Sequence, residues 1–415
     1  MSEQLSILTG PGKEIGQTPQ TAAQLRDYLV SSDLYHRDCQ YEDWEIKESS
    51  AELSYLTHGF FRYFGKFPPP VARRFIEELH DPAVGPVVDP MSGSGTSLVE
   101  ALLLKRAAVG LDVNPLSCLA AKVKTTPVSP SEVKEMLERQ TRFHLRSGTG
   151  AARQYIPQDT HLDHWFYRET QEGLARTRRF IEERIENQDI KDVFRLALAS
   201  IVRRLSRASN NMGRMFLDAT LQPLDVHQLF LKKVLQMVKG FEQLNSFQPD
   251  VEVRQHDARL AFPTPARTNL VICHPPYFNV YRYSSIYKFE MLWLGFDYPQ
   301  TRRQEVRDGF KIGKKELLQA YLNDMLEVFG NINRVLVSGG WCVLMIGDTF
   351  LRGERINTTS HLLNRLADEE PGFQLDKLIV RHPKHTEASY AAAQRRRTEN
   401  IGVKLPDHII VMRKK

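Results

Sequence analysis

The sequence predicts an α/β protein with a Rossmann-like, mostly parallel sheet covered by helices on both faces, and three observations support this. Two short apolar runs, Val87–Asp89 and Leu270–Ile272, have the character of buried parallel strands. The first is followed by a glycine turn and the helix-periodic run Leu98–Leu104. The second ends at Pro275-Pro276, which cannot continue a strand ladder. Ligands of such sheets bind at the carboxyl edge of the strands, so both turns are expected at one site.

The composition is that of a globular protein with a mildly basic balance. Of 415 residues, 41% are hydrophobic and 9% aromatic, which is ordinary for a chain that buries a core. Lys and Arg number 56 against 50 Asp and Glu, and a net charge of +6 permits a polyanionic partner without requiring one. No membrane-length apolar run or signal-peptide pattern is found, so a cytoplasmic protein is expected. The four cysteines lack paired spacing, which predicts reduced thiols and neither a metal site nor a disulfide framework.

Changes of pattern divide the chain into four parts. Residues 1–50 are polar and irregular, with one helix expected at Thr21–Ser31, and predict an N-terminal extension. Residues 51–126 and 248–415 carry the sheet pattern. Residues 127–247 show helical periodicity alone and predict a helical insertion between the second and third sheet strands. Its expected helices are Ser131–His144, Phe166–Asn187, Asp189–Ser206 and Asp225–Leu244. Trp165 and Phe166 are expected in the core.

The glycine turn after Val87–Asp89 has the chemistry of a ligand-binding loop. Gly93 and Gly95 let the backbone turn sharply and approach a ligand without a Cβ. A Gly-x-Gly alone is weak evidence, but here Val-Val-Asp-Pro precedes it and Thr-Ser and an apolar helix follow it. Asp89 is placed to accept a charge-assisted hydrogen bond from an amino group of the ligand. The alternative is that Asp89 only caps the turn.

An acidic residue ends the next predicted strand, Ala107–Asp112. Asp112 follows the glycine turn by about 20 residues, a spacing that suits hydrogen bonds to the two hydroxyls of a ribose. Nicotinamide-dependent enzymes use the same arrangement, so this residue does not identify the cofactor.

The helical insertion contains a basic stretch from Arg203 to Arg214. Arg203, Arg207 and Asn210 are of the types that contact phosphates and base edges in nucleic acids. The alternative, a solvated basic helix end, is equally compatible with the sequence. Its place in the chain makes the stretch our candidate for substrate recognition.

The stretch Asn269–Tyr277 ends a strand in a stiff turn with an aromatic ring. The carbonyl of Pro275 is able to accept a hydrogen bond, and Tyr277 brings a ring to the same space. Aromatic residues between Phe278 and Phe296 either wall a base pocket or simply pack. The chain then predicts a helix at Lys315–Leu336, a strand at Gly340–Asp348, and a closing hairpin from Gln374–Val380 and His408–Met412. A basic loop lies between the hairpin strands, and its residues able to grip phosphates are Arg395, Arg396 and Arg397.

Together, Asp89–Ser97 and Asn269–Tyr277 resemble two motifs of the S-adenosylmethionine-dependent amino-methyltransferases that act on nucleic-acid bases. The first resembles their Asp-Pro-x-x-Gly-x-Gly-Thr cofactor motif, and the second their Asp/Asn/Ser-Pro-Pro-Tyr catalytic motif. The segment from His58 to Pro68 also resembles the His-Gly-x-x-x-Tyr-x-x-Lys-Phe-x-Pro segment of the cytosine-N4 kind. The less favoured alternative is an aromatic loop packed on the sheet. The resemblance covers roughly residues 55–125 and 250–415.

The resemblance implies a class I methyltransferase sheet, S-adenosyl-L-methionine as cofactor and DNA as substrate. Lys66 and Phe67 would cover the methionine end of the cofactor, and Asp257 would contact its adenine ring, unless Asp257 is a plain turn residue. The implied cofactor-binding residues are Lys66, Phe67, Asp89, Pro90, Ser92, Gly93, Gly95, Thr96, Asp112, Val113, Asp257 and Ala258. The implied catalytic residues are His274, Pro275, Pro276 and Tyr277.

His274 departs from the family pattern, in which Asp, Asn or Ser precedes the two prolines. A neutral imidazole can accept a hydrogen bond from the target amine, whereas an imidazolium cannot. Activity is therefore expected to fall as the pH drops through the pKa of His274. The departure also removes the usual indication of the target base. The His-Gly-Phe-Phe-Arg-Tyr segment and the Pro-Pro-Tyr-Phe sequence favour cytosine N4 over adenine N6.

The resemblance leaves several functions open. The leading one is a DNA methyltransferase that flips its target base out of a duplex, alone or with a restriction or defence component. An RNA base methyltransferase with a similar Pro-Pro-Tyr is the first alternative. A non-catalytic cofactor-binding or DNA-binding subunit, inactivated by the change to His274, is the second. A nicotinamide-dependent enzyme would leave Pro275-Pro276-Tyr277 without a role.

Overall fold

A computed structural model of the chain describes most of its length. The described residues are 16–17, 22–46, 51–146, 150–209, 215–244, 247–248, 250–263, 267–278, 283–306, 316–351, 354–369, 372–382 and 405–415.

A nine-stranded sheet forms the centre of the molecule. The strands, in chain order, are β1 (Gly16–Gln17), β2 (Gln40–Glu45), β3 (Val87–Asp89), β4 (Ala108–Asp112), β5 (Val251–Gln255), β6 (Thr268–Cys273), β7 (Leu336–Gly347), β8 (Thr349–Leu351), β9 (Glu354–Ile356), β10 (Phe373–His382) and β11 (Asp407–Lys414). The sheet order is β1-β2-β10-β11-β7-β6-β3-β4-β5, and β8 and β9 pair separately. The five strands from β7 to β5 are parallel, and β11 is antiparallel to both its neighbours, β7 and β10. The predicted α/β fold with a closing hairpin is confirmed.

Helices cover both faces of this sheet. They are α1 (Ala22–Ser31), α2 (Pro69–Leu79), α3 (Thr96–Leu103), α4 (Pro115–Thr125), α5 (Pro130–Arg146), α6 (Leu162–Trp165), α7 (Arg168–Arg184), α8 (Gln188–Leu205), α9 (Val226–Leu244), α10 (Tyr283–Ile286), α11 (Lys288–Leu294), α12 (Tyr298–Gln304), α13 (Glu316–Val335) and α14 (Thr358–Glu369). On one face, α2, α3 and α4 bury Val71, Leu98 and Ala121. On the other, α1, α13 and α14 close a second core.

The helices of the predicted insertion, α5 to α9, form a further layer on the first face. Their apolar side chains share one cluster with the outer faces of α3 and α4, through residues such as Val99 and Leu116. The same cluster includes Phe60 and the later residues Tyr287 and Trp293. The insertion is thus packed continuously onto the sheet domain. Phe166 is buried in it as predicted, and the Trp165 ring packs on Phe289.

The N-terminal region is more integrated than the sequence indicated. Within residues 22–46, β2 pairs in parallel with β10, and α1 buries Leu29 in the second core. The Tyr28 hydroxyl lies 2.8 Å from His408 Nε2, so α1 is also tied to β11. The sequence analysis missed β2 because Gln-Tyr-Glu-Asp-Trp-Glu is polar, as expected of a strand near a sheet edge.

Two further sequence predictions concern the whole chain. The four cysteines are free thiols. Within the described ranges, no helix has the length and apolar character needed to cross a bilayer.

Candidate active site

A cleft lies at the carboxyl edge of β3, β4, β5 and β6, where the sequence places the candidate site. Residues that line it include Tyr63, Lys66, Phe67, Asp89, Pro90, Ser92, Gly93, Ser94, Thr96, Asp112, Val113, Asn114, Asp257, Ala258, His274, Pro276, Tyr283 and Glu305. Every predicted cofactor residue except Gly95 lines the cleft, together with His274 and Pro276 of the catalytic motif. One cleft therefore joins both motifs.

The glycine turn after β3 is held by two carboxylates. Asp89 accepts hydrogen bonds from the Met91 amide, at 3.1 Å, and from the Ser97 hydroxyl at the start of α3. Gly93 has a positive φ of 51° and donates its amide to Asp112, at 2.9 Å. Asp89 and Asp112 thus fix the shape of the turn as well as facing the cleft.

Gly95 is required by helix packing. It precedes α3 with a φ of 79°, and a Cβ there would lie 2.8 Å from the Cβ of Ala121 in α4. Gly95 is not among the residues that line the cleft. Gly95 thus has a role in the close approach of α3 and α4, and its contact with the cofactor stays a prediction.

Burial changes the acidity of both carboxylates. Desolvation raises the pKa of Asp89 to about 7 and that of Asp112 to about 6. Asp112 Oδ1 also accepts the Asn114 amide at 2.8 Å, which favours the ionised form and partly offsets the effect of burial. Hydrogen-bond donors of a bound ligand would stabilise the charged forms further.

Asp257 forms an ion pair with Arg259. The Arg259 guanidinium donates to both its carboxylate oxygens, at 3.0 and 2.7 Å. Burial alone would raise the pKa of Asp257, but its bonds with Arg259 outweigh burial and lower it. Asp257 lies two residues beyond β5 and its side chain lines the cleft, so it stays a candidate for the adenine contact with an orientation fixed by Arg259.

The polar groups of the cleft fit S-adenosylmethionine. Ser94 Oγ and Asn114 Nδ2 are buried, line the cleft and have no hydrogen-bond partner within the described part of the chain. Such groups call for a polar ligand. The Asp112 carboxylate suits ribose hydroxyls, while Phe67, Val113 and Ala258 provide an apolar wall.

The sequence analysis missed a lysine behind the glycine turn. Lys124 is fully buried, and its Nζ donates to the Ser94 carbonyl at 2.9 Å. Burial lowers the pKa of Lys124 well below its ordinary value, which favours a neutral amine. A lysine in a helix-periodic run gives no indication of such a contact in the sequence.

His274 lies between two aromatic rings at the end of β6. Its ring centroid is 5.4 Å from that of Phe67 and 5.4 Å from that of Tyr277, in edge-on orientations. Burial lowers the pKa of His274 to about 4, so the imidazole is neutral at physiological pH. The acidic limb that we expected from His274 is therefore placed near pH 4.

The carbonyls of Pro275 and Pro276 differ in their hydrogen-bond partners. The Tyr321 hydroxyl of α13 donates to Pro276 O at 3.0 Å. Among the described residues, we find no donor to the Pro275 carbonyl. Pro275 is buried and is not among the residues that line the cleft, so the contact of its carbonyl with a substrate stays a prediction.

Tyr277 meets a charged pair that the sequence analysis did not single out. Arg381 of β10 donates its Nε to Asp407 of β11 at 2.9 Å, and its Nη2 to the same oxygen. Asp407 lies beside the Tyr277 hydroxyl; burial and then this carboxylate raise the pKa of Tyr277 well above its ordinary value. Only the register of β10 and β11 brings these residues to β6, so no local sequence signal indicates them.

Part of the predicted aromatic segment forms one wall of the cleft. Tyr283 and Tyr287 both stack on the Tyr63 ring, and each ring centroid lies 5.3 Å from that of Tyr63. The amide and the hydroxyl of Ser284 donate hydrogen bonds to the Glu305 carboxylate, at 2.7 and 2.8 Å. Tyr287 is buried, as the packing interpretation expects, and Tyr283 lines the cleft; that it walls a base pocket stays a prediction.

The predicted nucleic-acid contacts are only partly visible. Arg203 is 9% exposed and donates to the carbonyls of Ile286 and Ser209, so its guanidinium joins α8 to α10 and is not presented to a phosphate. Arg207 is half-buried beside the Tyr167 ring. Asn210, Arg395, Arg396 and Arg397 lie outside the described residues. In the part of the chain that is described, no group of three or more His, Cys, Asp or Glu side chains could hold a metal ion.

Comparison with known proteins gives two relatives by sequence. The chain is 26% identical to the type II methyltransferase M.MvaI of Kocuria varians over 297 residues, which are 66% of this chain and 65% of that protein. It is 32% identical to the type II methyltransferase M.MjaII of Methanocaldococcus jannaschii over 98 residues, 23% of this chain and 18% of that protein. The chain thus spans less than two thirds of either relative. No family model matches.

Solved structures give a weaker likeness. TrmN from Thermus thermophilus has a TM-score of 0.31 and 12% identity, over 85% of this chain and 50% of that one. The rRNA methyltransferase aviRa from Streptomyces viridochromogenes has a TM-score of 0.31 and 11% identity, over 88% of this chain and 93% of that one. The glycopeptide N-methyltransferase MtfA, complexed with S-adenosyl-L-methionine, has a TM-score of 0.29 and 9% identity, over 96% of this chain and 98% of that one. Scores this low carry no argument about function. The sequence relatives, by contrast, are both named type II methyltransferases and confirm the resemblance that the two motifs predict.

Proposed function

Because the chain resembles the S-adenosylmethionine-dependent DNA amino-methyltransferases in both motifs and in its relatives, we propose that it methylates the exocyclic amine of a base in DNA. The observation that carries this proposal is the single cleft that joins the glycine turn and Asp112 to His274 and Pro276. Its type II methyltransferase relatives support DNA as the substrate. We propose cytosine N4 as the target because the segment from His58 to Pro68 resembles that kind.

The cofactor would be held by the three loops after β3, β4 and β5. Asp112 would accept the ribose hydroxyls, Asp257 would contact the adenine ring, and Asp89 and Lys66 would face the methionine end. Bound S-adenosylmethionine supplies a methyl group on a positively charged sulfur. The chain's own contribution is to hold the reacting groups in line, which is catalysis by positioning.

The loop after β6 would act on the target base. The amine of cytosine is a poor nucleophile because its lone pair is delocalised into the ring. Acceptors on its two hydrogens localise that lone pair, and His274 and the Pro275 carbonyl would supply them. An aromatic ring, Tyr277 or Tyr283, would stack on the base after it leaves the duplex.

We propose that Arg207, Arg395, Arg396 and Arg397 contact the DNA backbone. Arg207 lies on the insertion. The other three follow β10 in the chain, and β10 ends at the sheet edge that carries Tyr277. Salt-dependent binding of duplex DNA would accompany such contacts. A cognate restriction or defence component is proposed as a partner on the basis of the type II relatives.

Methyl transfer can be measured directly with purified protein, labelled S-adenosylmethionine, and duplex DNA or total RNA, followed by nucleoside mass spectrometry. We expect label in N4-methylcytosine of DNA and its loss in Tyr277→Ala. Asp218→Asn, at a half-buried acidic residue of the insertion that does not line the cleft, is the control and should keep full activity. Label in N6-methyladenine would contradict the target base, and label in RNA alone would contradict DNA as substrate. No label despite cofactor binding would favour a non-catalytic subunit.

Cofactor affinity is expected to fall as the pH drops from about 7 to 5. With pKa values of about 7 and 6, Asp89 and Asp112 become protonated in this range and lose acceptor capacity. His274, with a pKa of about 4, stays neutral there. Calorimetric titration with S-adenosylmethionine at several pH values tests this. His274→Asn should show the same decrease in cofactor affinity between pH 7 and 5. If the decrease disappears in that variant, it is caused by His274 and not by the two carboxylates.

A further inference from the structure

The neutral imidazole of His274 can exist in two forms, and only one of them leaves Nδ1 as an acceptor. In that form the ring proton is on Nε2. Nε2 lies 3.4 Å from the Tyr277 hydroxyl, whereas Nδ1 has no hydrogen bond within the described residues. The partner of Nε2 therefore decides which nitrogen is offered to a substrate.

Three neighbouring strands bring a charged pair to that hydroxyl. In the sheet register, Arg381 of β10 lies opposite Asp407 of β11, and Asp407 lies opposite Gly347 of β7. A Cβ on Gly347 would lie 2.6 Å from the Tyr277 ring and 3.4 Å from Asp407 Oδ1. The absence of a side chain at Gly347 thus leaves room for the Tyr277 ring on the side of the strand where the Asp407 carboxylate lies.

Hydrogen-bond chemistry then fixes the direction of each bond. The Asp407 carboxylate, paired with Arg381, is an acceptor only. It competes with His274 Nε2 for the one proton of the Tyr277 hydroxyl, and a charged acceptor forms the stronger bond. A Tyr277 hydroxyl that donates its proton to Asp407 can only accept a hydrogen bond from His274.

We propose that Asp407 and Tyr277 act as positioning residues that hold the His274 proton on Nε2, so that Nδ1 accepts a hydrogen bond from the target amine. The part of this inference that concerns the amine rests on the proposed function. The bond at 3.4 Å is long, and catalytic hydrogen bonds commonly shorten when the substrate binds. Arg381 acts indirectly on the His274 proton, because its ion pair with Asp407 holds that carboxylate in place.

The position of the proton can be observed without any assay of activity. The two ring nitrogens of a neutral histidine differ in their ¹⁵N chemical shifts according to which one carries the proton. We would label the histidines of the full chain with ¹⁵N, record spectra at pH 7.5, and assign His274 from the signals that vanish in His274→Asn. The wild type is expected to carry the proton on Nε2. In Tyr277→Phe, which keeps the ring, both forms should be populated.

Kinetics would then connect this form of His274 to the reaction. Tyr277→Phe is expected to lower kcat by up to about 100-fold, the order of magnitude for a misplaced reacting group, with KM for DNA nearly unchanged. Asp407→Asn, which is nearly isosteric, should shift the proton in the same direction to a smaller extent. Tyr155→Phe is the matched control, because Tyr155 also donates to a carboxylate, Glu183, but on the exposed side of the insertion.

The outcomes separate this inference from the proposed function. A proton on Nδ1 of wild-type His274 would overturn the inference whatever base is methylated, and so would a Tyr277→Phe protein with unchanged His274 signals and unchanged kcat. The expected proton position in a protein that methylates no DNA would instead leave the positioning intact and refute the proposed function alone.

Discussion

Replacing Asp112 by asparagine is expected to weaken S-adenosylmethionine binding by about 100-fold or more. Asp112 accepts the amides of Gly93 and Asn114 and is the proposed acceptor for the ribose hydroxyls. A hydrogen bond to a charged group contributes about 1.5–3 kcal/mol, and two of them correspond to at least two orders of magnitude in affinity. An amide has a single acceptor oxygen, so it also leaves one of the two backbone amides without a partner. Isothermal titration calorimetry measures the change.

The matched control for this substitution is Asp218→Asn. Asp218 accepts the Thr220 amide at 3.0 Å in a turn of the insertion, so the same chemical change is made in a similar local setting outside the cleft. Its effect on cofactor affinity should be negligible. Undiminished binding by Asp112→Asn, with the fold verified by its unfolding transition, would show that the ribose hydroxyls are held elsewhere.

The sequence predicted the site well where the site is made of local motifs. Strand ends, the glycine turn and the Pro-Pro-Tyr turn each depend on neighbouring residues, and parallel strands bring their carboxyl ends to one edge. This is why nearly all predicted cofactor residues line one cleft. Gly95 was the exception, because a glycine required for close helix packing has the same sequence signature as one that approaches a ligand.

What the sequence did not predict depends on distant pairing or on burial. Asp407 reaches Tyr277 only because β11 inserts antiparallel between β7 and β10, an arrangement that no local pattern specifies. Arg203 has the residue type of a phosphate contact, and only the packing of α8 on α10 shows that its guanidinium is enclosed. Lys124 is a third such case, since its amine faces a backbone carbonyl of the glycine turn.

Replacing Gly95 by alanine is expected to reduce the free energy of unfolding by about 2–5 kcal/mol. A left-handed backbone conformation costs about 1–2 kcal/mol for a residue with a Cβ, and forcing an extra methyl into a packed contact costs about 1–3 kcal/mol more. The conflict involves both Cα and Cβ of Ala121 in α4, at 2.9 and 2.8 Å, so a rotamer change cannot relieve it. Chemical denaturation followed by circular dichroism measures the loss.

Gly150→Ala is the control, because a Cβ there meets no atom within 4 Å and Gly150 has no positive φ. Its stability should change little. The glycine turn leads directly into α3, so a shift of this helix would also move the turn. Any Gly95→Ala protein that folds is therefore also expected to bind the cofactor more weakly. Full stability in Gly95→Ala would mean that α3 and α4 separate without cost, and would remove the packing explanation for this glycine. The two substitutions thus test different links: Asp112→Asn acts on the ligand contacts of the turn, and Gly95→Ala acts on the helix contact that supports it.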